Sequence, residues 1–156
     1  MILKLLKKTF KNKDKSTVNI DFSNQNTKLQ IATCVILLEA VTADSHFSIE
    51  ESDKIVELLT DKFKLSRSEV DQLINISKIQ REEQPDIWHF TNLINEELTI
   101  DEKYELMEMV WQAIYSDGTL DKYEHYLSHK LRRLLNIQHS KFIELKKKVL
   151  EKTISS

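Results

Sequence analysis

Apolar residues recur along this chain at helical spacing, in short runs separated by polar punctuation. From Leu29 the positions Ile31, Cys34, Val35, Leu38 and Val41 line one helix that continues to a turn at Asp44. Ser48-Ile-Glu-Glu51 has the form of a capping box, a side-chain oxygen at the helix entrance answered by a glutamate three residues on. It opens a helix carrying Ile55, Leu58, Leu59 and Phe63. Ser66-Arg-Ser-Glu69 repeats the device before Val70, Leu73, Ile74 and Ile76. Pro85 marks the next start, and Ile87, Trp88, Phe90, Leu93 and Ile94 predict a helix ending near Glu97. Thr99-Ile-Asp-Glu102 caps a helix through Leu106, Met109, Val110, Ala113 and Ile114, which breaks at Asp117-Gly118. Asp121 and Glu124 cap the next helix, with Tyr126, Leu127, Leu131, Leu134 and Leu135. A break near Asn136 precedes a last helix through Phe142, Leu145 and Val149, with a basic tail from Lys146 expected to fray. Trp88, Trp111 and Tyr115 stand beside aliphatic residues at helical positions and are expected in the core.

Two stretches share one grammar. Asp44, Ser48 and Glu51 upstream answer Asp117, Asp121 and Glu124 downstream. Alignment on the two aspartates pairs Leu38 with Trp111 and Ala40 with Ala113 and, one gap later, Leu65 with Ile137 and Val70 with Phe142. The expected fold is therefore all-α: a compact multi-helix bundle of two helical hairpin repeats related by a pseudo-twofold axis.

Composition narrows this further. One glycine and one proline in 156 residues disfavour sheets, whose tight turns draw on both. The same scarcity excludes phosphate-binding loops and dinucleotide fingerprints, which need glycines at fixed spacing, so no nucleotide cofactor is expected. No haem is expected either. The single cysteine, Cys34, permits no internal disulfide or thiolate cluster and reads as a small core residue. No apolar run is long enough to span a bilayer, and no signal-peptide pattern is present, so a reducing cytoplasm is the expected compartment. The net charge of -2 is unevenly spread: residues 1–16 hold six lysines against Asp14 alone, +5, leaving -7 for the rest. An acidic body repels phosphate backbones and suits a cation better than a nucleic acid.

The basic arm has its own pattern. Ile2, Leu3, Leu6 and Phe10 fall on one helical face of residues 1–11, with Lys4, Lys7, Lys8 and Lys11 around the other. Such a helix either anchors on anionic lipid at the inner membrane face or docks its apolar face on the protein's own body or on a second copy. Residues 12–28 are polar and read as a linker, residues 29–150 as the helical domain, and residues 151–156 as a frayed tail.

Chemistry concentrates in the acidic turns. In each, the aspartate closes one helix and the glutamate stands in the first turn of the next, so a tight turn brings both carboxylates to one end of the hairpin. A pseudo-twofold then gathers Asp44, Glu51, Asp117 and Glu124, oxygen ligands of the kind that hold Ca²⁺ or Mg²⁺. The spacing is not that of an EF-hand. The alternative is that these residues only cap helices and shape turns. His125 and His129 share a helix face, as zinc ligands do, but Tyr126 stands where a zinc protease carries its glutamate, and both histidines read as surface or half-buried polar residues. No serine, cysteine or histidine is placed as a nucleophile or its base, so no catalytic residue is expected.

With these residues in view, the chain resembles the tellurite-resistance TerB family, especially its small stand-alone bacterial members. The resemblance rests on Leu-Gln-Ile-Ala-Thr from Leu29, the acidic turn from Ala43 to Glu51, Phe90-Thr-Asn-Leu-Ile-Asn95, and Tyr115-Ser-Asp-Gly-Thr-Leu-Asp-Lys-Tyr-Glu124. It extends from about Leu29 to Lys148. It implies a compact helical domain, related also to the N-terminal domain of the DjlA co-chaperone, whose acidic residues form a shared site proposed to bind metal. Asp44, Glu51, Asp117 and Glu124 would be its ligands here. The chain is accordingly expected to be a non-enzymatic, stress-related interaction or signalling module with an unidentified protein partner; the alternative is a metal-independent membrane-surface adaptor or scaffold that uses residues 1–11. One departure stands out: Ser45 and His46 follow Asp44, where the family often has glycine.

Overall fold

A computed structural model describes residues 24–41, 49–117 and 122–155; the side chains of residues 117, 122–127 and 153–155 are not described. The described residues form seven α-helices and no strand: α1 (Gln25–Val41), α2 (Ile49–Phe63), α3 (Arg67–Glu83), α4 (Trp88–Glu97), α5 (Ile100–Ile114), α6 (Lys122–Leu134) and α7 (His139–Ser155). A 3₁₀ turn, Tyr115–Asp117, closes α5. The helical expectation holds among the described residues. The expectation for residues 1–11 lies outside the described residues.

Helix starts follow the sequence signals. Ser66 and Thr99 each accept from the backbone N–H of a glutamate three residues on (3.2 Å), and that glutamate's carboxylate accepts from the cap's own N–H (3.0 Å). The structure also begins α1 before the apolar pattern does. Asn24 caps it, its Oδ1 accepting from Asn26 N–H at 2.9 Å, so residues 25–28 are helical and Thr27 is buried. The helix entered after Pro85 begins at Trp88, with Asp86 Oδ1 accepting the Trp88 N–H at 2.9 Å. α7 runs on through Ser155, well past Lys146, its apolar face seated by buried Phe142, Leu145 and Val149. At the exits, Lys64 and Asn136 take left-handed φ values of 55° and 57°, which reverse the chain after α2 and α6. Asn136 adopts this geometry readily; Lys64 holds it against a Cβ clash.

α1 is the axis of the bundle. It is apolar around its whole circumference, and Ile31 through Leu38 are all buried. Such a helix cannot lie at a surface, and it packs against α2, α3, α4, α5 and α6. α5 is the second centre, touching α1, α2, α6 and α7. On it, Trp111 is fully buried, stacked on Tyr115 at 5.7 Å and tilted against Phe142 of α7 at 5.0 Å. Trp111 and Tyr115 are core residues as expected, whereas Trp88 is not: it is 55% exposed. Phe90, Thr91 and Ile94 set the inward face of α4, and Ile87, seven residues before Ile94, takes the inward position at its entrance. Trp88, two residues before Phe90, is turned about 200° away from it.

Candidate functional site

The first acidic turn joins α1 to α2 and the second joins α5 to α6. Asp44 lies outside the described residues, as does most of each turn. Asp117 ends the 3₁₀ turn and Glu124 lies in the first turn of α6, with only their backbones described. α2 packs against the 3₁₀ turn, so the helix that carries Glu51 and the turn that carries Asp117 are neighbours. α6, which carries Glu124, packs on α1 and α5.

Glu51 is the one candidate ligand whose side chain is described, and it is 1% exposed. Its position in the helix makes this informative. Glu69 and Glu102 occupy the third position of capping boxes on α3 and α5; Glu69 is partly exposed and Glu102 lies at the surface. There the carboxylate only closes the box, and the Thr99 backbone N–H, with the Thr99 hydroxyl, holds the Glu102 carboxyl below its ordinary range. Glu51 stands at the same place after Ser48 but is buried, on a helix that packs against α5 and the 3₁₀ turn that closes it. Glu50 beside it is exposed. Burying a carboxylate costs several kcal/mol in order of magnitude unless positive charge or oriented dipoles compensate it, and the N-terminus of α2 supplies such dipoles. An all-carboxylate donor set at such a place fits a hard divalent cation. Among the described residues, no group of three or more histidine, cysteine, aspartate or glutamate side chains is close enough to hold a metal ion.

His129 is half-buried, its ring tilted on Phe142 at 5.0 Å and stacked with His139 at 6.1 Å, which gives it a packing role on α6. His125 lies outside the described side chains. Cys34 is fully buried in α1, and desolvation pushes its thiol up to about 12 despite the Ser77 hydrogen bond, so it is an inert core residue.

Two polar networks that the sequence pattern does not reveal brace the helices around the site. Lys103 of α5 is 9% exposed, and its ammonium donates to Leu135 O at 3.0 Å and to Asn95 Oδ1 at 3.2 Å. The Asn95 amide donates in turn to Leu134 O at 2.8 Å. Together they close the last carbonyls of α6, at the end opposite Glu124, and place a positive charge at the negative pole of that helix. Arg81 of α3 grips the Glu39 carboxylate of α1 in a two-point fork (3.0 and 3.1 Å) and donates to Gln84 O and Pro85 O at 2.9 Å. The only hint in the sequence is a lysine or arginine within an otherwise inward-facing stripe.

No helix among the described residues is long and apolar enough to cross a membrane. A comparison with solved structures matches the crystal structure of a protein of unknown function from Porphyromonas gingivalis W83. That match has a TM-score of 0.59 and 18% identity and covers 86% of this chain and 97% of the other, a likeness of fold. No curated protein matches the chain in sequence. The family model described as tellurite resistance protein TerB matches residues 30–147, from the first turns of α1 well into α7, and the chain belongs to the TerB family.

Proposed function

We propose that this TerB-family chain is a non-enzymatic helical module that takes a divalent cation of the Ca²⁺ or Mg²⁺ class between its two acidic turns. The ligands are Asp44, Glu51, Asp117 and Glu124, and the cation stiffens two repeated halves against each other, changing a surface read by a protein partner. The observation that carries this reading is the burial of Glu51, at a helix position where the comparable Glu102 stays in water. A cap needs no burial; a charge shared between two turns does. The repeat has support of its own. α1 packs on α3 as α5 packs on α7, and α2 packs on α5 as α6 packs on α1. The aligned pairs Leu38 and Trp111, Ala40 and Ala113, and Val70 and Phe142 are buried in both halves.

Thermal unfolding of the chelator-treated protein, with Ca²⁺, Mg²⁺, Mn²⁺ or Zn²⁺ added in turn, tests it. A ligand of the native state at about 100 times its Kd adds roughly 2.7 kcal/mol. The expected result is a saturable rise of the midpoint, lost when Asp44→Ala and Asp117→Ala are combined and weakened by Glu51→Gln. No shift with any ion at millimolar concentration, or a shift unchanged in the double variant, refutes the reading and leaves the carboxylates as caps.

A further inference from the structure

A groove runs along the seam between α2 and α5. Three hollows of about 320, 360 and 570 Å³ merge into it, the first two sharing Lys62 and Met109, the last two sharing Lys54, Glu57 and Gln112. The first is floored by Leu29, Phe63, Leu98, Leu106 and Met109. Leu29, Phe63 and Leu98 there are only partly buried, as is Leu58 in the second hollow. The walls are acidic. Asp61 and Glu57 stand on α2, and Glu102, Glu105 and Glu108 on α5. With Glu50 and Asp53 at the far end, seven carboxylates face three lining lysines, and Glu108 also pairs with Lys148 at 2.9 Å, which leaves an excess of three negative charges. Two of those lysines already pair with wall carboxylates, Lys54 with Glu57 and Lys62 with Glu105, and Glu57 and Glu105 remain about 60% exposed.

We infer that this groove is the docking site of the chain's own residues 1–11. Charge and shape agree: four lysines, Lys4, Lys7, Lys8 and Lys11, ring an apolar face of Ile2, Leu3, Leu6 and Phe10, and the groove offers an acidic rim over an apolar floor. Length agrees as well. Eleven helical residues span about 16 Å, and the groove follows α2 from Glu50 to Phe63, about 20 Å. The point of entry is favourable. Asn26, Leu29 and Gln30, in the first turns of α1, line the groove's apolar end. Residues 12–23 reach as far as about 40 Å, so the arm can lie along the groove without strain. Tethering this close raises the arm's effective concentration to roughly the millimolar range, where a short helix that binds lipid weakly alone still docks. The docked arm withholds its apolar face from lipid and covers the seam of the helix that carries Glu51.

The test is paramagnetic broadening in the full chain. Thr9→Cys carries a nitroxide, and Cys34, buried with its thiol pushed up to about 12, stays unlabelled. Amides of residues 57–63 and 102–109 should broaden. The broadening should fall as NaCl rises from about 0.05 to about 0.5 M, and should be lost in Asp61→Lys/Glu105→Lys, both surface positions. Mixing labelled protein with unlabelled ¹⁵N-protein should transfer no broadening to the latter. No broadening, or broadening on another face such as that of Trp88, overturns the proposal. Transfer in the mixed sample does so too, assigning the groove to a second copy. So does an arm that leaves these amides sharp while sedimenting with anionic phosphatidylserine vesicles, which assigns it to membrane.

Discussion

Lys103→Met removes the charge that closes α6 while keeping most of the stem's volume. Its ammonium makes two charge-assisted hydrogen bonds, to Leu135 O and Asn95 Oδ1, in a site 9% exposed. Leaving these two acceptors short of a donor costs about 1–3 kcal/mol each. Losing a cation at a helix C-terminus adds about 0.3–1 kcal/mol. Against this, the folded state no longer has to desolvate an ammonium, which returns several kcal/mol in order of magnitude. The expected net loss is about 2–3 kcal/mol, a large share of a typical 5–15 kcal/mol total. For a domain of this size the midpoint falls by roughly 3–4 °C per kcal/mol, so a drop of about 6–12 °C is expected. Thermal unfolding followed by circular dichroism measures the drop, and urea unfolding measures the free-energy loss. Because Asn95 shares the network, donating to Leu134 O at 2.8 Å, Asn95→Ala should cost about 1–2 kcal/mol alone and markedly less on top of Lys103→Met. A loss under about 0.5 kcal/mol for Lys103→Met, or additivity of the two changes, refutes the network as the clamp on α6.

Glu102 gives a pH dependence whose sign follows from its cap. Its carboxyl is held low by Thr99, so the stabilisation is fully present above the ordinary carboxylate range and disappears as pH falls through the lowered value. Urea midpoints from neutral to acid pH should converge for the native chain and Glu102→Gln at the acid end and differ at neutral pH; parallel curves would show no linkage. Cys34 should resist thiol reagents at about pH 8 in the native protein and react only on unfolding, since desolvation keeps it protonated. Reaction at the rate of a free thiol before any loss of helix would contradict its burial.

The sequence by itself determined the helices and where most of them begin. Hydrophobic period sets helix against strand, and the capping boxes at Ser66 and Thr99 act within four residues of backbone, so they are legible without any neighbour. The near absence of glycine and proline leaves no material for a sheet. The family was legible too, because its marks are short segments such as Phe90 to Asn95, of which Asn95 proves to brace α6. Tertiary structure decided the rest. Periodicity names an apolar face but not what covers it, so it could not make α1 the axis or set Trp88 outside and Ile87 inside. Nor could it separate Glu51 from Glu102, two glutamates in the same local motif. One ends buried and the other in water, and that difference comes from which helices pack around each cap. Asn95 meets Leu134 39 positions away, and Lys103 meets Leu135 32 positions away, for the same reason. Local backbone chemistry acts over a single turn of helix, whereas desolvation of a charge depends on every element that closes over it.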